Sequence, residues 1–145
     1  MGTRRENDLA EWDRLVNNKW YAAGHMGDNN CMPLPTDKQA AAGIKRIHKK
    51  FMGYAFRGKV VKAKRRNQYT WQRYEKGQAV FVFNQNRKTP RNMTGWADMA
   101  HCMAHYVHSR KRPNERPHSQ AELALETEIT NFVLSPAFDK YRLPQ

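Results

Sequence analysis

The stretch HCMAHYVHSRKRPNERPHS, residues 101–119, carries four of the six histidines in the chain. His101 and His105 are four residues apart, and on an α-helix such residues stand one above the other, so both imidazoles can reach a single ion. That H-x-x-x-H spacing is the mechanical basis of a helical zinc site. A third imidazole, His118, follows in the turn Pro117-His118-Ser119. A polar face holding histidines is also what a solvated helix shows, and spacing alone does not separate the two readings. Cys102 offers either a thiolate that would close the site or a small packed thiol.

The element that must carry these residues is a helix from about Thr94 or Trp96 to His108. At about 100° per residue, Trp96, Met99, Ala100, Met103 and Val107 form its core face. Asp98, His101, His105 and His108 fall opposite, with Cys102 and Ser109 at the margin. Asp98, one turn before His101, is placed to accept an imidazole N–H and orient the ring. His108 reads as a solvated neighbour.

The other elements follow from periodicity and punctuation. Asn7 or Asp8 can cap a first helix on which Leu9, Trp12, Leu15 or Val16, and Lys19 or Trp20 recur. The Gly- and Pro-rich AAGHMGDNNCMPLP after it reads as a loop, with His25 as a solvated loop residue. Thr36 and Gln39 form a capping-box pattern, and Ala40, Ile44, Ile47 and Phe51 line one face of a second helix that Gly53 can end. Its opposite face carries Lys45, Arg46, Lys49 and Lys50. From Tyr54 to Tyr74 the chain becomes strand-like, Glu75-Lys76-Gly77-Gln78 reads as a hairpin turn, and AVFVFN suits a strand covered on both faces. Ser119 and Glu122 form a second capping box, opening a last helix with Ala121, Leu125, Ile129 and Phe132 as its buried stripe. Grouped helices and grouped strands give an α+β fold with a small antiparallel or mixed sheet ahead of the histidine helix. Residues 1–35 form an N-terminal helix and loop, and residues 36–145 one compact unit.

At 145 residues the chain allows one ordinary domain. Lys and Arg number 26 against 13 acids, a net charge of +13, which favours phosphate polymers and other polyanions. Basic residues cluster on the second helix, along a strand face (Lys62, Lys64, Arg66), and on both flanks of the histidine helix (Arg87, Lys88, Arg91 and Arg110, Lys111, Arg112). Tyr69, Trp71 and Tyr74 follow the strand cluster and could stack bases or pack in the core. No base-reading motif is present, so nucleic-acid contact is expected to be phosphate-directed and salt-sensitive. No apolar run approaches the ~20 residues that span a bilayer, and MGTRRENDLAEW has no signal-peptide core, so the expected setting is the cytoplasm. Cys31 and Cys102 form no C-x-x-C pair, which leaves His and carboxylate as the main metal donors.

Over residues 36–134 the sequence resembles the SprT-like zincin metallopeptidases, which include the Spartan proteases that act on DNA–protein crosslinks. HCMAH matches their H-E-x-x-H at both histidines, and RPHSQAEL stands where their third-histidine turn is expected. The resemblance implies a zincin-like domain with Zn²⁺ held by His101, His105 and His118, a fourth position open to water, and a protein substrate or partner on nucleic acid. Cys102 departs from the family at the general-base glutamate, and Ser119 replaces the usual glycine. Loss of a positioned acid/base costs typically ~10²–10⁴ in rate, so proteolysis is expected to be impaired or lost unless Glu122 or Glu126 substitutes. The rival expectation is a non-enzymatic basic nucleic-acid-binding or structural factor, such as a phage or plasmid accessory protein, with no bound metal.

Overall fold

The glycine expected to end the second helix, and a loop glycine after the first, adopt the backbone that only glycine enters freely. In a computed structural model of the protein, which describes residues 10–25, 35–62, 71–83, 95–116 and 119–144, Gly24 has φ 83° and Gly53 φ 85°. The first helix, α1 (residues 10–22), contains a π-helical turn over Asp13–Asn17 and buries Val16 and Trp20. It ends in a Schellman motif, with His25 N–H donating to the Trp20 carbonyl at 2.9 Å and Gly24 N–H to that of Tyr21 at 3.1 Å. That geometry turns the His25 ring edge-on against Trp20, with centroids 5.4 Å apart. His25 is therefore buried and not a solvated loop residue.

Helix α2 (Asp37–Met52) begins with both halves of the Thr36–Gln39 capping box and ends at Gly53. Ala40, Ile44 and Ile47 are buried, Phe51 packs at the edge of the core, and Lys45, Arg46, Lys49 and Lys50 are exposed, as the pattern predicts. His48 is an addition to that face. Its Nδ1 donates to the Tyr54 carbonyl at 3.0 Å and its Nε2 accepts from the Tyr106 hydroxyl at 3.3 Å.

Three strands follow: β1 (Lys59–Lys62), β2 (Trp71–Glu75) and β3 (Gln78–Phe83), in the order β1-β3-β2. β1 runs parallel to β3 and β2 antiparallel to it, so a purely antiparallel sheet is excluded. The β2–β3 turn holds both Lys76 (φ 50°) and Gly77 (φ 78°) at positive φ, the type I′ signature of a two-residue hairpin. Val80, Phe81 and Val82 are all buried, as expected of a strand covered on both faces.

Helices α3 (Gly95–Lys111) and α4 (Gln120–Val133) pack against each other, followed by a 3-10 turn at Pro136–Phe138 and a short α5 (Asp139–Arg142). The most buried line of α4 is Glu122, Glu126, Ile129 and Val133; of the expected stripe, Ala121, Leu125 and Phe132 are only half-buried. The offset of one residue follows from α3, whose histidines pair with Glu122 and Glu126. One core joins Val16 and Trp20 of α1, Ile44 and Ile47 of α2, Phe81 of β3, most of α3, and Ile129, Val133 and Phe138. No helix among the described residues is long and apolar enough to cross a membrane.

Two measurements check this packing. A Cβ on Gly43 would overlap the Trp96 ring and press on Phe138. Overpacking costs about 1–3 kcal/mol and outweighs the helix-propensity gain of at most about 1 kcal/mol. Gly43→Ala is therefore expected to lower the urea midpoint, and a raised midpoint would contradict the packing. Burial, with help from the Arg110 charge and against the Tyr54 bond, lowers the His48 pKa below its ordinary 6.5. The unfolded chain then takes up this proton first, so the His48 contribution is complete above pH 6.5 and is lost as pH falls. His48→Gln is expected to show a smaller drop in Tm than the native protein between pH 7 and 5.

Candidate metal centre

His101 and His105 do come together. Their Nε2 atoms are 3.0 Å apart, with the rings nearly perpendicular at 84°. The other nitrogen of each ring faces a carboxylate from α4. His101 Nδ1 lies 3.0 Å from both Glu126 oxygens, and His105 Nδ1 lies 2.5 Å from Glu122 Oε1. The pairings 101–126 and 105–122 step in opposite directions, so α3 and α4 are antiparallel and each four-residue step on one helix meets a four-residue step on the other.

The donor arithmetic of this cluster is restrictive. An ionised carboxylate only accepts, so each Nδ1 must carry the hydrogen, and each neutral ring then has only a lone pair at Nε2. Two lone pairs facing each other at 3.0 Å repel unless a cation stands between them, either a proton or a metal ion. Two imidazole nitrogens bound at ~2.0–2.1 Å to one tetrahedral zinc stand about 3.3 Å apart, close to the observed separation. Carboxylate at Nδ1 and metal at Nε2 is the usual arrangement around zinc-bound histidine, because it fixes tautomer and ring orientation. Glu122 and Glu126 are 2% and 3% exposed, so carboxylates at these positions call for compensation in place, which a divalent ion would supply. The His101 and His105 side chains keep 22% and 27% exposure, which sets the pair at the edge of the core.

His108 is not a solvated bystander. It is buried, with Nδ1 3.1 Å from Glu122 Oε2 and Nε2 3.0 Å from Glu115 Oε1. Both of its ring nitrogens thus face carboxylate oxygens. Ser119 Oγ lies 3.2 Å from His108 Nε2 and caps α4 by accepting from Glu122 N–H at 3.2 Å. The Glu122 carboxylate is thus drawn into the histidine cluster. The Ser119 and His108 bonds, with Arg112, hold the Glu115 carboxyl down to about 2.

Cys102 faces away from the pair. It is 6% exposed within the apolar core. Burial, reinforced by the Asp98 charge, pushes its thiol up to about 12, and its place in the apolar core sets it apart from the imidazole pair. Asp98 is half-buried, and Glu126 and Glu122 stand at the Nδ1 atoms of the two rings. His118, Cys31 and Tyr69 lie outside the described residues, as do Lys64, Arg66, Arg87, Lys88 and Arg91; the same holds for the side chains of Lys62, Trp71 and Tyr74. Arg110, Lys111 and Arg112 are exposed at the end of α3, with Arg110 over the Tyr106 ring at 5.2 Å. Among the described residues no group of three or more His, Cys, Asp or Glu is arranged to hold a metal.

The placement of the carboxylates, named above as possible substitutes for the missing base, has a signal in the sequence. Glu122 and Glu126 repeat the four-residue step of His101 and His105 across one short connection, which antiparallel helices convert into two pairs. The contact from Trp12 Nε1–H to Glu126 Oε1, at 3.0 Å, had no comparable signal, because 114 residues separate the partners.

Cys102 provides a test of the orientation of α3. An unfolded chain ionises this thiol near its ordinary 9.0 and the fold does not, so its contribution is full below pH 9 and is lost as pH rises toward 12. In Cys31→Ser the remaining thiol is expected to resist Ellman's reagent at pH 8 until denaturant is added. Fast labelling of the native protein would contradict the burial.

Comparison of the chain with family models, with curated proteins and with solved structures gave no match.

Proposed function

We propose that this protein is a zinc-binding, SprT-like member of the zincin metallopeptidase design whose proteolytic activity is weakened or lost, and that it associates with nucleic acid in the cytoplasm. The observation that carries the reading is the Nε2 pair of His101 and His105 at 3.0 Å with a buried carboxylate behind each ring. His118 is the third ligand in this reading, from the resemblance of its Pro-His-Ser turn. The donor set, imidazole nitrogens with carboxylate support, suits zinc and other first-row transition ions over magnesium or calcium.

A bound zinc ion supplies Lewis acidity toward a coordinated carbonyl or water. The residues of the chain supply the rest. Glu126 and Glu122 hold a proton at each Nδ1 and thereby aim each Nε2. Both are occupied in that task, on the far nitrogen of each ring, and Cys102 is neutral and buried, so none stands as the acid/base of a hydrolase. The same centre therefore binds an ion more readily than it uses one. The Arg110-Lys111-Arg112 run adjoins the cluster, and with the net charge of +13 it supports phosphate-directed contact with DNA or RNA, where a protein or another nucleic-acid-bound partner would be met.

A second reading is favoured by the absence of a third metal donor among the described residues: a non-enzymatic basic accessory protein in which one proton bridges the two Nε2 atoms. Metal analysis separates the two. Protein purified without a histidine tag is expected to carry near-stoichiometric zinc that is lost in His101→Ala/His105→Ala. Metal-free native protein, or zinc retained by that variant, would sink the zinc reading.

A further inference from the structure

The two imidazoles of the pair are supported by parallel chains. Each carboxylate orients one ring and accepts a further donor: Glu122 from His108 Nδ1 at 3.1 Å, and Glu126 from Trp12 Nε1 at 3.0 Å. The first chain stays within α3 and α4. The second leaves them for α1, so the helix at the N-terminal end of the chain contributes a hydrogen bond to the centre.

Several observations give that contact its weight. Glu126 is 3% exposed, and a buried carboxylate without enough donors is costly and free to turn. The indole N–H pins Oε1 while both oxygens face His101. The Trp12 ring also stands edge-on to the His101 ring, with centroids 6.5 Å apart and planes at 76°. The π turn of α1 begins immediately after Trp12, and such turns recur at functional sites in helices. The docking of α1 has other anchors, namely Val16 and Trp20 in the core and Lys19 Nζ on Asn131 Oδ1 at 2.6 Å. The indole N–H can thus be removed without removing the helix.

We propose that Trp12 is a positioning residue of the metal centre: through Glu126 it sets the orientation of His101 and hence the affinity of the His101–His105 pair for a first-row transition ion. The inference rests on the zinc reading and adds α1 to the centre.

Zinc affinity is measured by competition with a chromophoric chelator for the native protein, Trp12→Phe and Trp12→Ala, alongside Tm of the metal-free forms. Trp12→Phe keeps an aromatic ring at this position and removes the indole N–H donor along with part of the ring's bulk. It is expected to bind zinc about 10-fold more weakly, at the lower end of the usual effect of such supporting partners, while the metal-free Tm stays near the native value. Native affinity in Trp12→Phe overturns the inference and leaves the zinc reading intact, whereas no zinc binding by the native protein removes both. The Trp12 indole N–H resonance of the native protein gives a readout that needs no folded variant. It is expected to shift on addition of zinc, and a resonance unmoved at saturation overturns the proposal.

Discussion

Two imidazole lone pairs facing each other over 3.0 Å, each with a buried carboxylate behind it, form the constraint around which this fold is arranged. The carboxylates cannot be moved to solvent without exposing the apolar residues beside them on α4. Nor can the histidines turn away without each carboxylate losing a donor, which leaves Glu122 with His108 and Glu126 with Trp12. This explains why α4 buries Glu122 and Glu126 in line with Ile129 and Val133. It also explains why α3 is buried on nearly all sides, with apolar residues toward α2 and the sheet and polar ones toward α4. The helix pair is held by a polar seam on one side and an apolar core on the other, and the seam demands a cation.

The elements governed by local chemistry were legible in the sequence. The Thr36–Gln39 box, the glycine that ends α2, the Lys76-Gly77 turn and the doubly buried β3 all follow from residue types a few positions apart, and the structure has each of them. The face of α3 that carries His101 and His105 was legible for the same reason. What periodicity could not supply was the partner of that face. A helix wheel treats polar residues as solvated, so it places His108 in solvent although the ring meets Glu122 and Glu115, and the capping pattern accounts for Glu122 although its side chain reaches two histidines. His25 escaped because its burial depends on a Schellman turn folding it onto Trp20.

Cys102 separates holding an ion from using one. In the resembled family the residue after the first histidine is the general base; here it is a neutral thiol turned into the core. The carboxylates nearest the pair orient the rings by their Nδ1 atoms. On the zinc reading proposed above, fixed tautomers, paired charges and support reaching from α1 to the Glu115 loop would favour retention of an ion over its use.

The most direct test of a metal ion at the converging Nε2 atoms is the zinc-edge X-ray absorption spectrum of the purified protein. The geometry calls for nitrogen and oxygen neighbours at ~2.0–2.1 Å with outer-shell scattering from imidazole rings, and for loss of that imidazole signature when His101 and His105 are replaced. A first shell containing sulfur at ~2.3 Å would place the ion on a cysteine, and that result would contradict the account.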